Sequence, residues 1–88
     1  MDDGRLRAVL TAVDRGSFSK AAAELGYTQS AMTHLVNNLE AELGCTLLNR
    51  GSHGVRLSEE GEQLLPYIKS VIDACDALRQ EAASQSRT

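Results

Sequence analysis

Between residues 4 and 15, Leu6, Val9, Leu10 and Val13 recur at steps of three and one. That spacing predicts a first amphipathic helix with one apolar side. Gly16 is its expected C-terminal stop. Ser19 is the expected N-cap of a second helix over 20–25, where Ala21 and Ala22 allow close backbone approach before Gly26 stops it and Tyr27 opens a turn. Thr28 then caps a third helix running from Gln29 to about Leu43. Its expected buried stripe is Met32, Leu35, Val36, Leu39 and Leu43, with Ala31 at a tight crossing and Gly44 closing the helix. Two short helices joined by a polar, capped turn, the second apolar on one face only, have the layout of a helix-turn-helix.

The period then changes. Residues 46–50 and 55–57 are two short strand-like pieces around Gly51-Ser52-His53-Gly54, and glycines at both ends of that tip predict a hairpin, the wing of a winged helix. Ser58 is the expected cap of a last helix, with Glu59, Glu60 and Glu62 where a positive helix end favours acids. Pro66 falls inside this segment, so either a kink or a delayed start is expected. Leu64, Ile68, Val71, Cys75, Leu78 and Ala82 follow at steps of 4, 3, 4, 3 and 4, the spacing of a seam that pairs with another helix. Packing of that seam on its own domain is the alternative. The small, polar tail over 83–88 is expected to fray. The expected fold is therefore mainly α: a winged helix-turn-helix over 1–58, built from a three-helix core and a short β-hairpin wing, and a long linker and dimerisation helix over 59–88.

Composition narrows the setting. Eighty-eight residues suit one small domain, and with 3% aromatic residues the core must be filled by aliphatic side chains and alanine. No apolar run is long enough to cross a bilayer, and the N-terminus carries no secretory pattern, so a cytoplasmic protein is expected. Cys45 and Cys75 stand far apart in apolar surroundings without metal-ligand spacing, which suits buried, reduced thiols. A net charge of −3 argues against nucleic acid until its distribution is considered. Residues 1–57 balance six acids with six bases, whereas 58–88 set six acids against Lys69, Arg79 and Arg87. The helix-turn-helix and wing are thus neutral, and useful affinity for a polyanion would need a dimer to multiply the contacts.

The candidate chemistry lies on the outer face of the third helix, at Gln29, Ser30, Thr33, His34 and Asn37. Gln29 and Asn37 carry the donor and acceptor that fit adenine N6 and N7, and Thr33 offers a methyl for thymine and a hydroxyl for either base. His34 suits guanine or a phosphate, more so when protonated. The hydroxyls of Thr28 and Ser30, with the free N–H groups at the helix start, suit a phosphate oxygen. Arg50, His53 and Arg56 would hold the backbone or minor groove from the wing. The plainer alternatives are that Gln29 and Ser30 only start a helix, that Asn37 and Asn38 form a solvated face, and that His53, Lys20 and Arg15 are ordinary surface. No nucleophile or acid–base constellation is present, so no catalytic residues are expected, nor are metal ligands or a cofactor. A winged helix serving only protein interaction or dimerisation, favoured by the acidic balance, is the rival to a DNA binder.

The run GSFSKAAAELG, the TQSA turn and helix start, LEAELG, then LLNR and GVRLS-x-x-G, span most of the chain. In this combination the chain resembles the N-terminal DNA-binding domain of LysR-type transcriptional regulators. The resemblance implies sequence-specific binding of double-stranded DNA with the third helix in the major groove, a homodimer through the C-terminal helix (Leu64, Ile68, Val71, Cys75 and Leu78), and a larger effector-binding domain that would take a small-molecule inducer. That domain is absent from these residues, which are expected to be either an excised DNA-binding fragment, the favoured reading, or a stand-alone variant. The family usually has serine where this chain has Thr33, and basic or glutamine residues around His34, Leu35, Asn37 and Asn38. Leu48 replaces the usual phenylalanine, and His53 stands where a wing arginine is common. These changes bear on affinity and target sequence, not on fold.

Overall fold

A computed structural model describes residues 3–85 of the chain, which fold into six elements. In order these are α1 (Gly4–Arg15), α2 (Phe18–Leu25), α3 (Gln29–Leu43), β1 (Leu48–Gly51), β2 (Gly54–Leu57) and α4 (Glu59–Gln85). The end of the tail expected to fray, 86–88, lies outside the described residues. Among the described residues no helix is long and apolar enough to cross a membrane.

The caps follow the expected chemistry with one shift. Gly16, Gly26 and Gly44 close α1, α2 and α3, and Thr28 Oγ1 accepts from Ala31 N at 3.1 Å to start α3. The cap of α2, however, is Ser17 and not Ser19: extended Ser17 accepts from Lys20 N, and Ser19 already lies in the first turn. Starting two residues earlier puts Phe18 at the first helical position, where it is buried against the core. Burial of the chain's one phenylalanine decides between two serines that are equally good caps in isolation.

The core is built as composition requires. Ala8, Val9 and Ala12 of α1 are fully buried, and α1 packs against both α2 and α3, which supply Phe18, Ala21, Ala22, Met32, Val36 and Leu39. Of the stripe expected on α3, Leu35 is only half-buried and Leu43 is 46% exposed. Leu43 lies at the end of its helix, beside Leu6, Leu64, Tyr67 and Val71 in a wholly apolar surface groove. Both cysteines are free, and both are half-buried, not buried as expected.

The hairpin is antiparallel, pairing Leu48 with Leu57, Asn49 with Arg56, Arg50 with Val55 and Gly51 with Gly54. Its first strand begins at Leu48, two residues later than expected, because Thr46 and Leu47 bond elsewhere. Glu40 Oε2 accepts from Leu47 N at 2.6 Å and Leu48 N at 3.1 Å, and Leu47 O accepts from Ser58 N at 2.8 Å. The other side of the hairpin is tied by Val55 N donating to Gly16 O at 3.1 Å. Gly54, at φ 103°, lies so close that a Cβ there would stand 2.6 Å from that same carbonyl oxygen.

Ser58 starts α4: its Oγ accepts from Gly61 N at 2.9 Å and donates to Thr46 O at 2.5 Å. The start is not delayed, and the helix continues across Pro66. Proline leaves the carbonyl one turn earlier, at Glu62, without its helical partner, and Glu62 is exposed so water can reach it. The expected seam divides. Ile68 is buried in the chain's own core together with Ile72, which the seam did not include. Leu64 and Cys75 are half-buried, while Val71 and Leu78 are 46% and 58% exposed. Residues 64, 68 and 72 are spaced by four and face inward, so the first turns of α4 complete the domain and Ile68 is a core residue, not an intermolecular one.

An ion network ties the beginning of α1 to the middle of α4. Buried Asp3 makes no helix cap; its carboxylate accepts from Arg7 Nε at 2.6 Å and Arg79 Nη2 at 2.7 Å, and Arg7 also reaches Asp76 at 2.5 Å. Arg79 first, then Arg7, holds the Asp3 carboxyl far below the usual carboxylate range. The unfolded chain therefore takes up a proton at Asp3 near pH 4, while the folded chain does so only at lower pH. Asp3→Asn is expected to lower stability at neutral pH. The gap between variant and parent should shrink progressively below about pH 4, as the parent loses the advantage of its charged carboxylate, which the variant never has; urea titrations at several pH values measure it, and a gap that grows on acidification would contradict the assignment. A second expectation concerns Gly61, where a Cβ would collide with the Leu47 carbonyl oxygen. Alanine gains up to about 1 kcal/mol of helix propensity over glycine, yet overpacking costs about 1–3 kcal/mol. With backbone as the obstacle the upper end applies, so Gly61→Ala should lower the thermal midpoint by several degrees.

Candidate nucleic-acid interface

Residues spaced by four lie one above the other on a helix, so Gln29, Thr33 and Asn37 form a single row along α3. Opposite this row stands the hairpin. Gln29 and Thr33 share an open surface cleft with Ser17, Ser19, Arg50 and Gly51. One turn further along, Arg50 Nη2 donates to Asn37 Oδ1 at 3.0 Å, and its Cζ lies 4.3 Å from the centroid of the Phe18 ring. The turn, the helix and the hairpin thus meet along one edge of the domain.

The remaining expected residues are arranged around that edge. Thr28, Gln29 and Ser30 are all exposed at the start of α3. Because Thr28 Oγ1 accepts from Ala31 N, its hydroxyl hydrogen is left to donate to an outside acceptor. Thr33 is half-buried, the least accessible of the row. His34 is exposed and takes a different partner: its Nε2 lies 3.2 Å from Asn38 Nδ2, which an amide donor satisfies when that ring nitrogen is unprotonated. His53 at the hairpin tip and Arg56 on β2 are exposed, and with Arg50 they line one concave side of the hairpin. Arg15, by contrast, is paired with Glu24.

Bases near this edge come from the hairpin and from α2. Arg50 and Arg56 lie on the hairpin and Lys20 on the exposed side of α2. Asp3 and Asp76, two of the twelve acids, are taken up by Arg7 and Arg79 on the face formed by α1 and α4. The acids of α4 lie on a different element from the row on α3.

Three residues that position the site carry weak signals in the sequence. The sequence pointed to Ser19 as the cap of α2, and Ser17, with the same hydroxyl two residues earlier, carried no separate signal. Phe18 reads as one more apolar residue until Arg50 is found over its ring. Glu40 reads as a surface acid; its role depends on the chain reversing at Gly44 so that Leu47 and Leu48 come back to it.

Comparison with known proteins places these features in a wider group. Residues 4–62 match the sequence model of the bacterial regulatory helix-turn-helix proteins of the lysR family. Among curated proteins, the chain is 38% identical over 86 residues to the uncharacterized HTH-type transcriptional regulator YusT of Bacillus subtilis (strain 168), covering 98% of this chain and 29% of that protein. The chain spans between 26% and 43% of the length of the first curated relatives it matches. Among solved structures, the BenM DBD in complex with catB site 1 DNA superposes with a TM-score of 0.89 at 31% identity, covering 100% of this chain and 98% of that one. The oxidized form of Corynebacterium glutamicum OxyR superposes with a TM-score of 0.89 at 30% identity, covering 96% of this chain and 26% of that one.

Proposed function

The chain belongs to the lysR family of bacterial regulatory helix-turn-helix proteins, and from that premise we propose that it is the DNA-binding portion of a transcriptional regulator. In this reading α3 enters the major groove of a duplex and the hairpin lies on the neighbouring backbone. The observation that carries the reading is the outward row of Gln29 and Thr33 with Arg50 beside it, polar groups that the fold leaves open to a ligand. The similarity over the full chain to a domain solved on DNA supports it.

Roles follow from chemistry. Gln29 and Thr33 read base edges; Thr28, Ser30 and the first N–H groups of α3 position the helix on phosphate; Arg50, His53 and Arg56 grip the backbone or minor groove. His34 contacts a base or a phosphate. The domain acts by binding and has no catalytic role, works in the cytoplasm, and needs no cofactor. Two copies pair through α4, using the exposed Val71 and Leu78 with half-buried Cys75 and the part of Leu64 that the core leaves uncovered. Pairing doubles the phosphate contacts that a neutral reading surface lacks. A small-molecule inducer acts through a further domain of the whole protein. The net charge of −3 favours one other reading, a protein-interaction module without DNA binding; titration with a mixed duplex library at low and moderate salt separates the two.

Gln29→Ala and Thr33→Ala should each lose sequence preference, by about 1–3 kcal/mol of discrimination at the base concerned. Arg50→Ala should weaken binding to every sequence alike. Equal losses on selected and random duplexes for the two α3 variants would remove them as base readers. For the dimer, sedimentation should show Val71→Glu and Leu78→Glu shifted to monomer with thermal stability unchanged. Ile68→Ala should instead cost about 2–5 kcal/mol of stability as a core truncation; a monomeric parent at high concentration would refute the pairing.

A further inference from the structure

Asn37 and Arg50 come from different elements and meet on the flank of α3. The guanidinium is held twice: at its edge by Asn37 Oδ1, 3.0 Å from Nη2, and on its face by the Phe18 ring, 4.3 Å from Cζ. The ring is itself anchored, since Phe18 is only 7% exposed. A cation over an aromatic face is attracted by the ring quadrupole, and a planar fork held in this way loses less freedom when it binds.

The amide orientation is dictated by chemistry. An asparagine side chain has one acceptor, its oxygen, and two donor hydrogens, whereas arginine has donors only. Turning the amide over would set donor against donor. Oδ1 therefore faces Arg50, and it is the atom that Asn37 would need in order to accept from adenine N6 in a two-bond contact. Arg50 takes one of that oxygen's two lone pairs and sets where the amide points; apart from the second lone pair, the remaining groups of both side chains are donors. Such a surface matches a group rich in acceptors, and on a duplex these are phosphodiester oxygens or the N7 and O6 edge of guanine.

We propose that Asn37 is a positioning residue and not a base reader. Together with Phe18 it holds the Arg50 guanidinium against α3, so that the guanidinium meets acceptor atoms of the DNA from a fixed place. The proposal rests on the DNA-binding reading above. It assigns base discrimination on the row to Gln29 and Thr33, and it makes the third position of the row the joint between helix and wing.

The test uses the chain as it stands, with Asn37→Ala, Arg50→Ala, the double variant and Arg50→Lys. Each is titrated over a salt series against a duplex selected by the parent from a random pool and against random duplex, with melting temperatures recorded. Asn37→Ala should weaken binding about fivefold, the scale of one typical intramolecular hydrogen bond, without lowering the melting temperature. The double variant should bind no more weakly than Arg50→Ala alone, and Asn37→Ala should have no effect when added to Arg50→Lys, which keeps the charge but loses the fork. If the acceptors are phosphate oxygens, the salt slope falls by about 0.9 in Asn37→Ala as in Arg50→Ala, and neutral methylphosphonate linkages abolish the difference. If they belong to guanine, the slope is unchanged and 7-deazaguanine abolishes the difference instead. Additive losses, loss of an adenine preference in Asn37→Ala, or no effect of that substitution would each overturn the proposal while leaving DNA binding intact. A parent chain that binds no duplex would overturn the DNA-binding reading itself, and this proposal with it.

Discussion

Leu47 is fully buried at a point where the chain has no regular structure, so its N–H and C=O need partners that no ladder or helix supplies. Glu40 of α3 provides the acceptor and Ser58, at the threshold of α4, provides the donor. The same carboxylate oxygen takes Leu48 N, and the Ser58 hydroxyl takes Thr46 O. These few bonds bind three elements that follow one another in sequence but point in different directions. The direction of the hairpin relative to α3, and with it the place of Arg50, depends on satisfying one stretch of buried backbone. Gly61 is part of the same constraint, because only a residue without a side chain lets α4 begin against the Leu47 carbonyl.

Small side chains bring the helices together. Alanines on α1 and α2 let both backbones approach α3, and the few larger residues (Phe18, Met32, Leu47) fill what is left. Phe18 then has two roles: it is buried with the core, and its ring carries the guanidinium of Arg50. The hairpin is thus held at its root by Glu40, at its second strand by Gly16 and at its first by an aromatic ring. A wing fixed at three points presents its cations in a set place, and a set place is what recognition of a regular duplex requires.

Helix α4 belongs partly to the domain and partly to its surroundings. Its inward stripe, Leu64, Ile68 and Ile72, closes the core, and further along the same face the Asp3–Arg7–Asp76–Arg79 network fastens it to the start of α1. The outward residues Tyr67, Val71 and Leu78 are large, apolar and exposed. A helix anchored by one face and apolar on another is suited to carry a contact outward without moving the domain beneath it.

Much of this was legible in the chain itself because it rests on local chemistry. Glycine stops, a threonine cap at Thr28, apolar positions at helical steps and a glycine-bounded tip define their elements wherever they sit, and the run from Gly16 to Leu57 located the polar face of α3. What local chemistry left open were choices between equivalents. Ser17 and Ser19 are both good caps, and burial of Phe18 chose between them. Residues 64, 68, 71, 75 and 78 form one seam in the sequence, and contact with the core divided it. Asn37 and Arg50, thirteen residues apart, each read as a separate ligand contact until the fold joined them. Propensity and periodicity act between neighbours in the chain and were determined by the sequence alone. Which of several suitable groups is buried, paired or left open depends on what packs against it from far along the chain, and only the tertiary structure decided that.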